Sequence, residues 1–218
     1  MKTKTTLILM GIVILLAAAV SLYAYPRVPD VIATHWSDQN VVDGTMGKFW
    51  GLALMPLMLL GIGALLMAVP HIDPLRKNIE AFRPYFNTFV VIFALFMLYM
   101  HVLTVLINMG NPLILSQWMM PGMGLFIFYT GVLMQKAKRN FFIGIRTPWT
   151  LSSDSVWEKT HRLGGWLFKA AGIITMLGII FPSQSFLLLM VPMLAAAFIP
   201  IIYSYFAYQR EMKGSSAL

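Results

Sequence analysis

The sequence predicts an all-α polytopic membrane protein with six transmembrane helices and both termini in the cytoplasm. Hydrophobic residues make up 59% of its 218 positions, whereas globular chains carry about 45–50%. Six apolar runs approach 20 residues, the length at which a helix crosses the roughly 30 Å hydrocarbon core. The runs are expected to be helices because lipid cannot satisfy unpaired backbone amides, and the ten-residue alternation of a transmembrane barrel is absent.

The predicted spans are residues 6–25, 49–69, 85–107, 118–134, 165–181 and 185–206. The start of the first span, MKTKTT and an apolar stretch, also resembles a secretory signal. However, its apolar part (7–24) is longer than the apolar core of such a signal, and Leu22-Tyr23-Ala24 is a poor cleavage site. We therefore expect the segment to be retained as a span.

The basic residues predict the orientation. If the six runs alternate across the membrane, fourteen of the sixteen Lys and Arg residues share one side, and only Arg27 and Lys48 lie on the other. The positive-inside rule then places both termini in the cytoplasm. The net charge of +8 is explained by this topology and by attraction to anionic lipids, without direct binding of nucleic acid.

No linker divides the chain, so we expect one structural unit built from two three-span modules. Residues 1–110 form the first module, with an external loop at 25–48, and residues 111–218 form the second, with a cytoplasmic motif at 136–165. A shorter cytoplasmic link is predicted to form an interfacial helix over about residues 74–82, because prolines punctuate both of its ends.

The external loop is one of two connections long enough to carry a function. Its aromatic and charged side chains could bind a peptide by stacking and charge-assisted hydrogen bonds, or they could fold the loop over the mouth of the bundle. Its tryptophans could equally be interfacial anchors. The candidate ligand-binding residues are His35, Trp36, Asp38, Asp43 and Lys48.

The cytoplasmic motif is the other long connection. Ser155 and Glu158 fit a capping box, although Ser152 or Ser153 could cap instead. The apolar face that follows predicts a short amphipathic interfacial helix before the fifth span. The motif is either a membrane-surface anchor or a surface for a soluble partner, and the candidate residues are Arg139, Asn140, Gly144, Arg146, Thr147, Pro148, Trp149, Trp157, His161 and Arg162.

The third predicted span carries a polar seam that must face the bundle interior. Its residues are Asn87, His101, Thr104 and Asn108. An intramembrane histidine raises the hypothesis of a proton or ion pathway, but hydrogen-bonded helix packing explains a single histidine better. Glycines with a seven-residue spacing predict close helix contacts: Gly124 and Gly131 in one span, and Gly165 and Gly172 in another.

Catalysis is not predicted. The four histidines are divided between the two sides of the predicted topology, and no H-E-x-x-H, G-x-S-x-G or phosphate-binding glycine loop occurs. The absence of cysteine removes thiol nucleophiles, disulfides and Cys-based metal sites. We therefore expect neither a metal nor another cofactor.

The run K-R-N-F-F-I-G-I-R-T-P-W-T-L-S-S-D-S-V-W-E-K-T-H-R-L-G-G resembles the signature of the SdpI family of bacterial multi-pass membrane proteins. In the external loop, Arg27-Val28-Pro29, Thr34-His35-Trp36, Asp43-Gly44 and Lys48 resemble the small membrane module of unknown function often found upstream in such proteins. The external motif usually reads H-W-N-x-x-G, but here Ser37 and Asn40 replace its Asn and Gly. Asparagine is the next best residue after glycine for a left-handed turn, so we expect Asn40 to preserve the shape.

The resemblance implies a protein of the cell membrane that gives immunity to the sporulation-delaying SDP toxin, a small secreted peptide that collapses the proton-motive force. It further implies that the toxin-engaged protein captures a cytoplasmic transcriptional repressor at the membrane. Such a protein needs an outer surface for the toxin and an inner surface for the repressor, and the two long connections lie on those two sides. The alternative function is a small-solute or proton-coupled carrier.

Overall fold

The computed structural model describes residues 1–37 and 39–215. The helices are α1 (Thr3–Ala24), α2 (Lys48–Ile72), α3 (Arg76–Asn108), α4 (Leu115–Lys136), α5 (Pro148–Ser152), α6 (Asp154–Met176) and α7 (Ser185–Ser215). Two strands, β1 (Val31–Trp36) and β2 (Val42–Gly47), precede α2. Short 3-10 turns at Leu177–Ile179 and Pro182–Gln184 connect α6 to α7.

Five of the described helices are long and apolar enough to cross a membrane: α1, α2, α3, α6 with the turn after it, and α7. Helix α4 has 22 residues but is not among the five. Polar residues at its two ends, including Gln117 and Gln135, shorten its apolar stretch. The architecture is that of a nearly all-helical multi-pass membrane protein, while the six-span count and the cytoplasmic termini remain predictions.

The helices pack as two groups. Helices α1, α2 and α3 contact one another, as do α4, α6 and α7, and α3 packs on α4 between the groups. At that junction the ring of Phe126 in α4 lies among three phenylalanine rings of α3, with centroids 5.5–5.9 Å apart. Aromatic contacts of this kind stabilise the packing beyond the burial of area.

Glycines allow α4 and α6 to approach backbone to backbone. A Cβ atom at Gly131 would lie 2.6 Å from the carbonyl oxygen of Gly165, and a Cβ at Gly172 would lie 2.5 Å from that of Gly124. Small residues at helix interfaces permit this approach in membranes. The close contacts predicted from the glycine spacing are confirmed.

The external loop contains an antiparallel β-hairpin, which the all-α prediction did not include. β-Branched residues such as Val31, Ile32 and Thr34 favour the extended conformation. Asn40 in the turn has φ 59°, so the left-handed conformation expected there is confirmed. The side chain of Asn108 at the end of α3 holds β1, because its Oδ1 accepts from Ala33 N and its Nδ2 donates to Ala33 O, at 2.8 and 2.9 Å.

The helices on the predicted cytoplasmic side partly follow the sequence predictions. The start of α3 is set off by non-helical backbone angles at Phe82 (φ −119°, ψ 15°), in agreement with the helix predicted over about residues 74–82. The predicted interfacial helix before the fifth span is not separate, because α6 continues from Asp154 through Gly164 and Gly165. Interior glycines cost only about 1 kcal/mol each relative to alanine, and contact with α4 offsets that cost. Ser153, one of the alternatives, is the N-cap.

Candidate functional site

One buried asparagine organises the beginning of the cytoplasmic cap, the name we give to residues 137–161 after the side on which the predicted topology places them. The side chain of Asn140 accepts hydrogen bonds from Phe142 N and Ile143 N at 2.9 and 2.6 Å. It donates to Lys138 O and Ile143 O at 2.8 and 3.0 Å. An amide offers two donors and one acceptor oxygen, so this side chain is fully occupied in shaping the turn.

A buried histidine joins the cap to α6. The ring of His161 stacks on Trp157, with centroids 3.9 Å apart. Its Nε2 lies 3.0 Å from the amide nitrogen of Ile145 and its Nδ1 lies 2.9 Å from Trp157 O. Because the amide can only donate, Nε2 must be the unprotonated nitrogen and Nδ1 must carry the hydrogen. The ring is therefore a neutral structural group, and Trp157 is fixed in turn by donating to Ala137 O at 2.8 Å.

Gly144 allows the chain to pass over that histidine. Its φ is +108°, a conformation that favours glycine. A Cβ at this position would lie 2.3 Å from Nε2 of His161. The bend predicted at Gly144 therefore has both a conformational and a steric cause.

Helix α5 attaches the cap to α7. Thr147 is its N-cap and forms a reciprocal capping box with Thr150, while Pro148 occupies the first helical position. The buried Oγ1 of Thr147 lies 3.1 Å from Oγ of Ser204 in α7. On the same helix, Trp149 packs edge-on against Tyr205, with centroids 5.1 Å apart.

Arg139 is used inside the cap. One terminal nitrogen donates to Leu151 O at 2.8 Å, and its Nε lies 2.8 Å from a carboxylate oxygen of Asp154. The second contact is an ion pair without a well-aligned hydrogen bond. The carbonyl oxygen of Arg139 accepts from the side chain of Asn78 in α3 at 2.8 Å. Both contacts of the guanidinium hold one part of the cap to another.

Two other arginines face outward. Arg146 is exposed and donates from one terminal nitrogen to Phe141 O at 2.6 Å. Arg162 is also exposed, and its guanidinium makes no hydrogen bond or ion pair within residues 1–37 and 39–215. Nearby, Lys138 pairs with Glu158 at 2.8 Å. Within the described residues, the exposed basic side chains in or next to the cap that keep free donors thus include Arg146, Lys159 and Arg162.

Asp73, in the link between α2 and α3, contacts the cap but was not among the residues predicted from the sequence. Its side chain is buried and accepts from Leu75 N at 2.6 Å and from Phe141 N at 2.8 Å. The first bond is a local turn contact that an Asp-Pro sequence before a helix suggests. The second crosses 68 positions of the chain, so no local pattern could have predicted it.

The external hairpin divides the predicted ligand residues. Nδ1 of His35 lies 2.6 Å from Oδ1 of Asp43, and the two side chains are 74% and 46% exposed. Lys48 instead pairs with Asp30 at 2.7 Å, and the hydrogen bond from this lysine lowers the pKa of the Asp30 carboxyl. Asp38 lies outside the described residues. His35 and Asp43 are therefore brought together, whereas Lys48 is engaged elsewhere.

Trp36 borders a separate external groove of about 210 Å³ between the hairpin, the start of α4 and the start of α7. The hairpin turn closes one side of this groove. Asn40 donates to Oγ of Ser116 at 2.7 Å and accepts from the amide nitrogen of Ser116 at 2.9 Å. The groove offers aromatic, sulfur and hydroxyl groups, and it is lined by Trp36, Ser37, Asn40, Met119, Ser185 and Phe186 among others.

The residues of the predicted polar seam serve separate contacts. At the cytoplasmic end, Asn87 donates to Met1 O and to Oγ1 of Thr3 at 3.1 and 3.2 Å. In the last third of α3, Nε2 of His101 lies 2.9 Å from Oγ of Ser21 in α1, and the same Oγ lies 2.8 Å from Leu52 O in α2. The hydrogen-bonded group around His101 thus ties α3 to α1 and α2.

The end of the seam next to the hairpin holds β1 in place and does not continue a proton pathway. Asn108 contacts β1, and its Nδ2 also donates to the carbonyl oxygen of Thr104 at 2.9 Å. Asn87 and His101 are separated by about 21 Å along the helix, with the buried methyl group of Ala94 between them. This arrangement favours helix packing over a proton relay.

Comparison with known proteins agrees with the architecture. Residues 136–204 match the SdpI/YfhL protein family, and residues 12–60 match a domain of unknown function, DUF1648. The chain is 25% identical over 204 residues to the immunity protein SdpI of Bacillus subtilis (strain 168), covering 94% of this chain and 96% of that protein. No solved structure matches. Residues 136–204 thus carry the SdpI/YfhL family segment, and the long apolar helices together with these similarities identify a multi-pass protein of the plasma membrane.

Proposed function

We propose that the protein is a membrane immunity protein that protects its cell from a secreted peptide toxin of the SDP type. The observation that carries the proposal is the similarity to an immunity protein over 94% of the chain. A similarity of this extent includes the external hairpin as well as the cytoplasmic cap. We therefore propose a role for both the hairpin and the cap, and not only for the segment that matches the family.

The external hairpin is the proposed receiving surface for the toxin. It offers an exposed His35–Asp43 pair and, at Trp36, the border of a groove with aromatic and hydroxyl groups. Peptides are bound by such combinations of stacking and directed hydrogen bonds. The hairpin is also fixed at both ends, through Asn108 and Asn40, which limits the ordering cost of binding.

The cytoplasmic cap is the proposed docking surface for a transcriptional repressor. Its buried residues Asn140, Thr147 and His161 shape the cap and are not available to a partner. The exposed arginines Arg146 and Arg162 supply recognition, because a guanidinium forms planar, two-pronged hydrogen bonds. The partner surface would accordingly be acidic.

Helix α3 supplies a physical connection between the two surfaces. Its last residue, Asn108, is bonded to β1 of the hairpin. Near its first turn, Asn78 donates to the cap at Arg139 O. The 33 residues of α3 span about 50 Å. Toxin contact at the hairpin can thus shift the position of the cap through α3, although the kink at Phe82 separates Asn78 from the long part of this helix.

Immunity is tested by producing the protein in a toxin-sensitive strain that has no immunity protein and adding purified SDP-type toxin. We expect survival with the protein and killing with an empty vector. The variant His35→Ala, Trp36→Ala probes the receiving surface, and exposed Val41→Ala in the same hairpin is its matched control. Killing of cells that hold normal amounts of the wild-type protein in the membrane would refute the proposal.

Repressor capture needs its own test, because immunity can exist without it. The repressor encoded nearest the gene is tagged with a fluorescent protein, and its location is recorded with and without toxin. Recruitment to the membrane is expected, with loss of recruitment in Arg146→Glu, Arg162→Glu at preserved protein level. If the repressor stays in the cytoplasm in cells that hold the wild-type protein and toxin, the proposed repressor capture is wrong.

A further inference from the structure

A cavity of about 580 Å³ opens between α2 and α7 below the cytoplasmic cap. Helix α2 packs mainly against α1, α3 and the hairpin, whereas α7 packs mainly against α4, α5 and α6. The two helices therefore leave a cleft whose back wall is formed by α3 and α4. Its volume falls within the range of about 300–1,000 Å³ typical of sites for small molecules.

The wall of the cleft is apolar apart from Thr130, whose hydroxyl donates to Phe126 O. Its lining includes Leu66 and Val69 of α2, Phe89 of α3, Leu133 of α4, and Ala197 and Ile201 of α7. These residues belong to helices that face lipid on their outer sides. Water in such a cleft would be unfavourable because apolar walls give it no hydrogen-bond partners. A hydrocarbon chain fits the chemistry of the wall.

The upper rim of the cleft is polar and cationic. Cap residues 142–147 form this rim, and Arg146 and Thr147 are its polar members. No aspartate or glutamate is among the lining residues. Only one of the five N–H donors of Arg146 is used within the part of the chain that the structure describes, on Phe141 O. The remaining donors match the oxygens of a phosphate, which a guanidinium binds through two parallel bonds.

We propose that the cleft binds one anionic phospholipid, with an acyl chain between α2 and α7 and its phosphate on Arg146. The basic side of the predicted topology places this rim in the cytoplasmic leaflet, where anionic lipids are abundant. A cationic rim without a carboxylate favours a net negative headgroup over a zwitterionic one. The lipid covers the apolar side chains of the cap that line the cleft, and without it this surface of the cap is not covered. This inference goes beyond immunity and does not rest on it; a phosphate bound to Arg146 would leave Arg162 as the exposed arginine available to a repressor.

Native mass spectrometry of the purified full chain tests the site with phosphatidylglycerol and phosphatidylcholine of identical acyl chains. We expect one retained phosphatidylglycerol and a preference for it of at least about tenfold, the value of one charge-assisted hydrogen bond. Arg146→Gln should abolish the preference, whereas Arg146→Lys should preserve part of it. Ala197→Phe should fill the cleft and release both lipids, while Leu194→Phe, on the exposed face of α7, should retain them.

Equal retention of the two lipids by the wild type would overturn the proposal. So would a bound lipid in Ala197→Phe, or equal loss in Leu194→Phe, which would mean general surface binding. A dimer mass without lipid would assign the cleft to a second copy of the chain. If Ala197→Phe does not yield monodisperse protein, Arg146→Gln decides alone, because its side chain is exposed and its replacement creates no clash.

Discussion

At the scale of single residues, the cap is built on buried polar groups that are matched to backbone partners. Asn140 donates to Ile143 O, and His161 accepts from Ile145 N. Asp73, in the link between α2 and α3, accepts from Phe141 N. Leaving such a buried group without its partner costs about 1–3 kcal/mol. The folded shape of the cap therefore depends on a few side chains, each with a defined geometry.

Gly144→Ala should destabilise the cap by about 2–4 kcal/mol, since it combines backbone strain with steric overlap. The added methyl group would meet Nε2 of His161 at 2.3 Å and displace the ring. Gly110→Ala is the matched control, because Gly110 also has positive φ (+90°) but open space around its Cβ position. Thermal unfolding in detergent should show a clearly larger decrease for Gly144→Ala. Equal decreases would mean that strain alone matters and that the contact with His161 has no role.

Asp73→Asn should loosen the cap while the helices stay folded. The amide keeps one acceptor oxygen, but an NH₂ group, which can only donate, replaces the other. The side chain therefore cannot hold both Leu75 N and Phe141 N. We expect faster hydrogen exchange at residues 141–146 and a loss of about 1–3 kcal/mol. Asp30→Asn, at an exposed side chain, should leave exchange in the cap unchanged. Unchanged protection at Phe141 in Asp73→Asn would contradict this role.

At the scale of elements, the contact of α4 with α6 determines how the second helix group is assembled. Helix α4 carries polar residues at both ends and is not among the five described helices that are long and apolar enough to cross a membrane. Close packing against the glycines of α6 compensates for the short apolar stretch of α4. Backbone contact increases the dispersion attraction between the helices, and lipid provides no hydrophobic driving force for their association. This interface is the element contact on which the cap rests.

Gly131→Leu should prevent that approach, because even its Cβ would lie 2.6 Å from the carbonyl oxygen of Gly165. Overpacking of this kind costs about 1–3 kcal/mol or more. Gly61→Leu is the control, since Gly61 is also helical and has nothing within 4 Å of its Cβ position. We expect a lower midpoint of thermal unfolding for Gly131→Leu only. A similar midpoint for both variants would show that α4 and α6 do not depend on this contact.

Local patterns in the sequence predicted the elements better than the contacts between distant segments. The apolar runs, the glycine spacing and the left-handed turn at Asn40 are properties of short stretches, and the structure contains each of them. The hairpin was missed because its strands lie in a polar loop without a clear alternation. Asp73 was missed because its partner is 68 positions away. Likewise, only the fold separates Arg139, engaged inside the cap, from Arg146, exposed at its rim.

At the scale of the whole molecule, the orientation in the membrane is the prediction that assigns each surface to a side. Reporter fusions at Asn40 and Leu151 should give opposite compartments, external for Asn40 and cytoplasmic for Leu151, because the predicted topology puts fourteen of the sixteen basic residues on the side of Leu151. Full-length protein level serves as the control for each fusion. An external signal from Leu151 would contradict the topology and exchange the roles proposed for hairpin and cap.

The protein, as proposed, prevents a secreted toxin from collapsing the proton-motive force of its cell. The most direct measurement is the membrane potential of toxin-sensitive cells, recorded with a voltage-sensitive dye during addition of purified SDP-type toxin. Cells with the wild-type protein should hold their potential, cells with an empty vector should depolarise, and a protonophore should depolarise both. Equal depolarisation by toxin at normal membrane levels of the protein would contradict the account, and dissipation by the protein without toxin would favour a carrier.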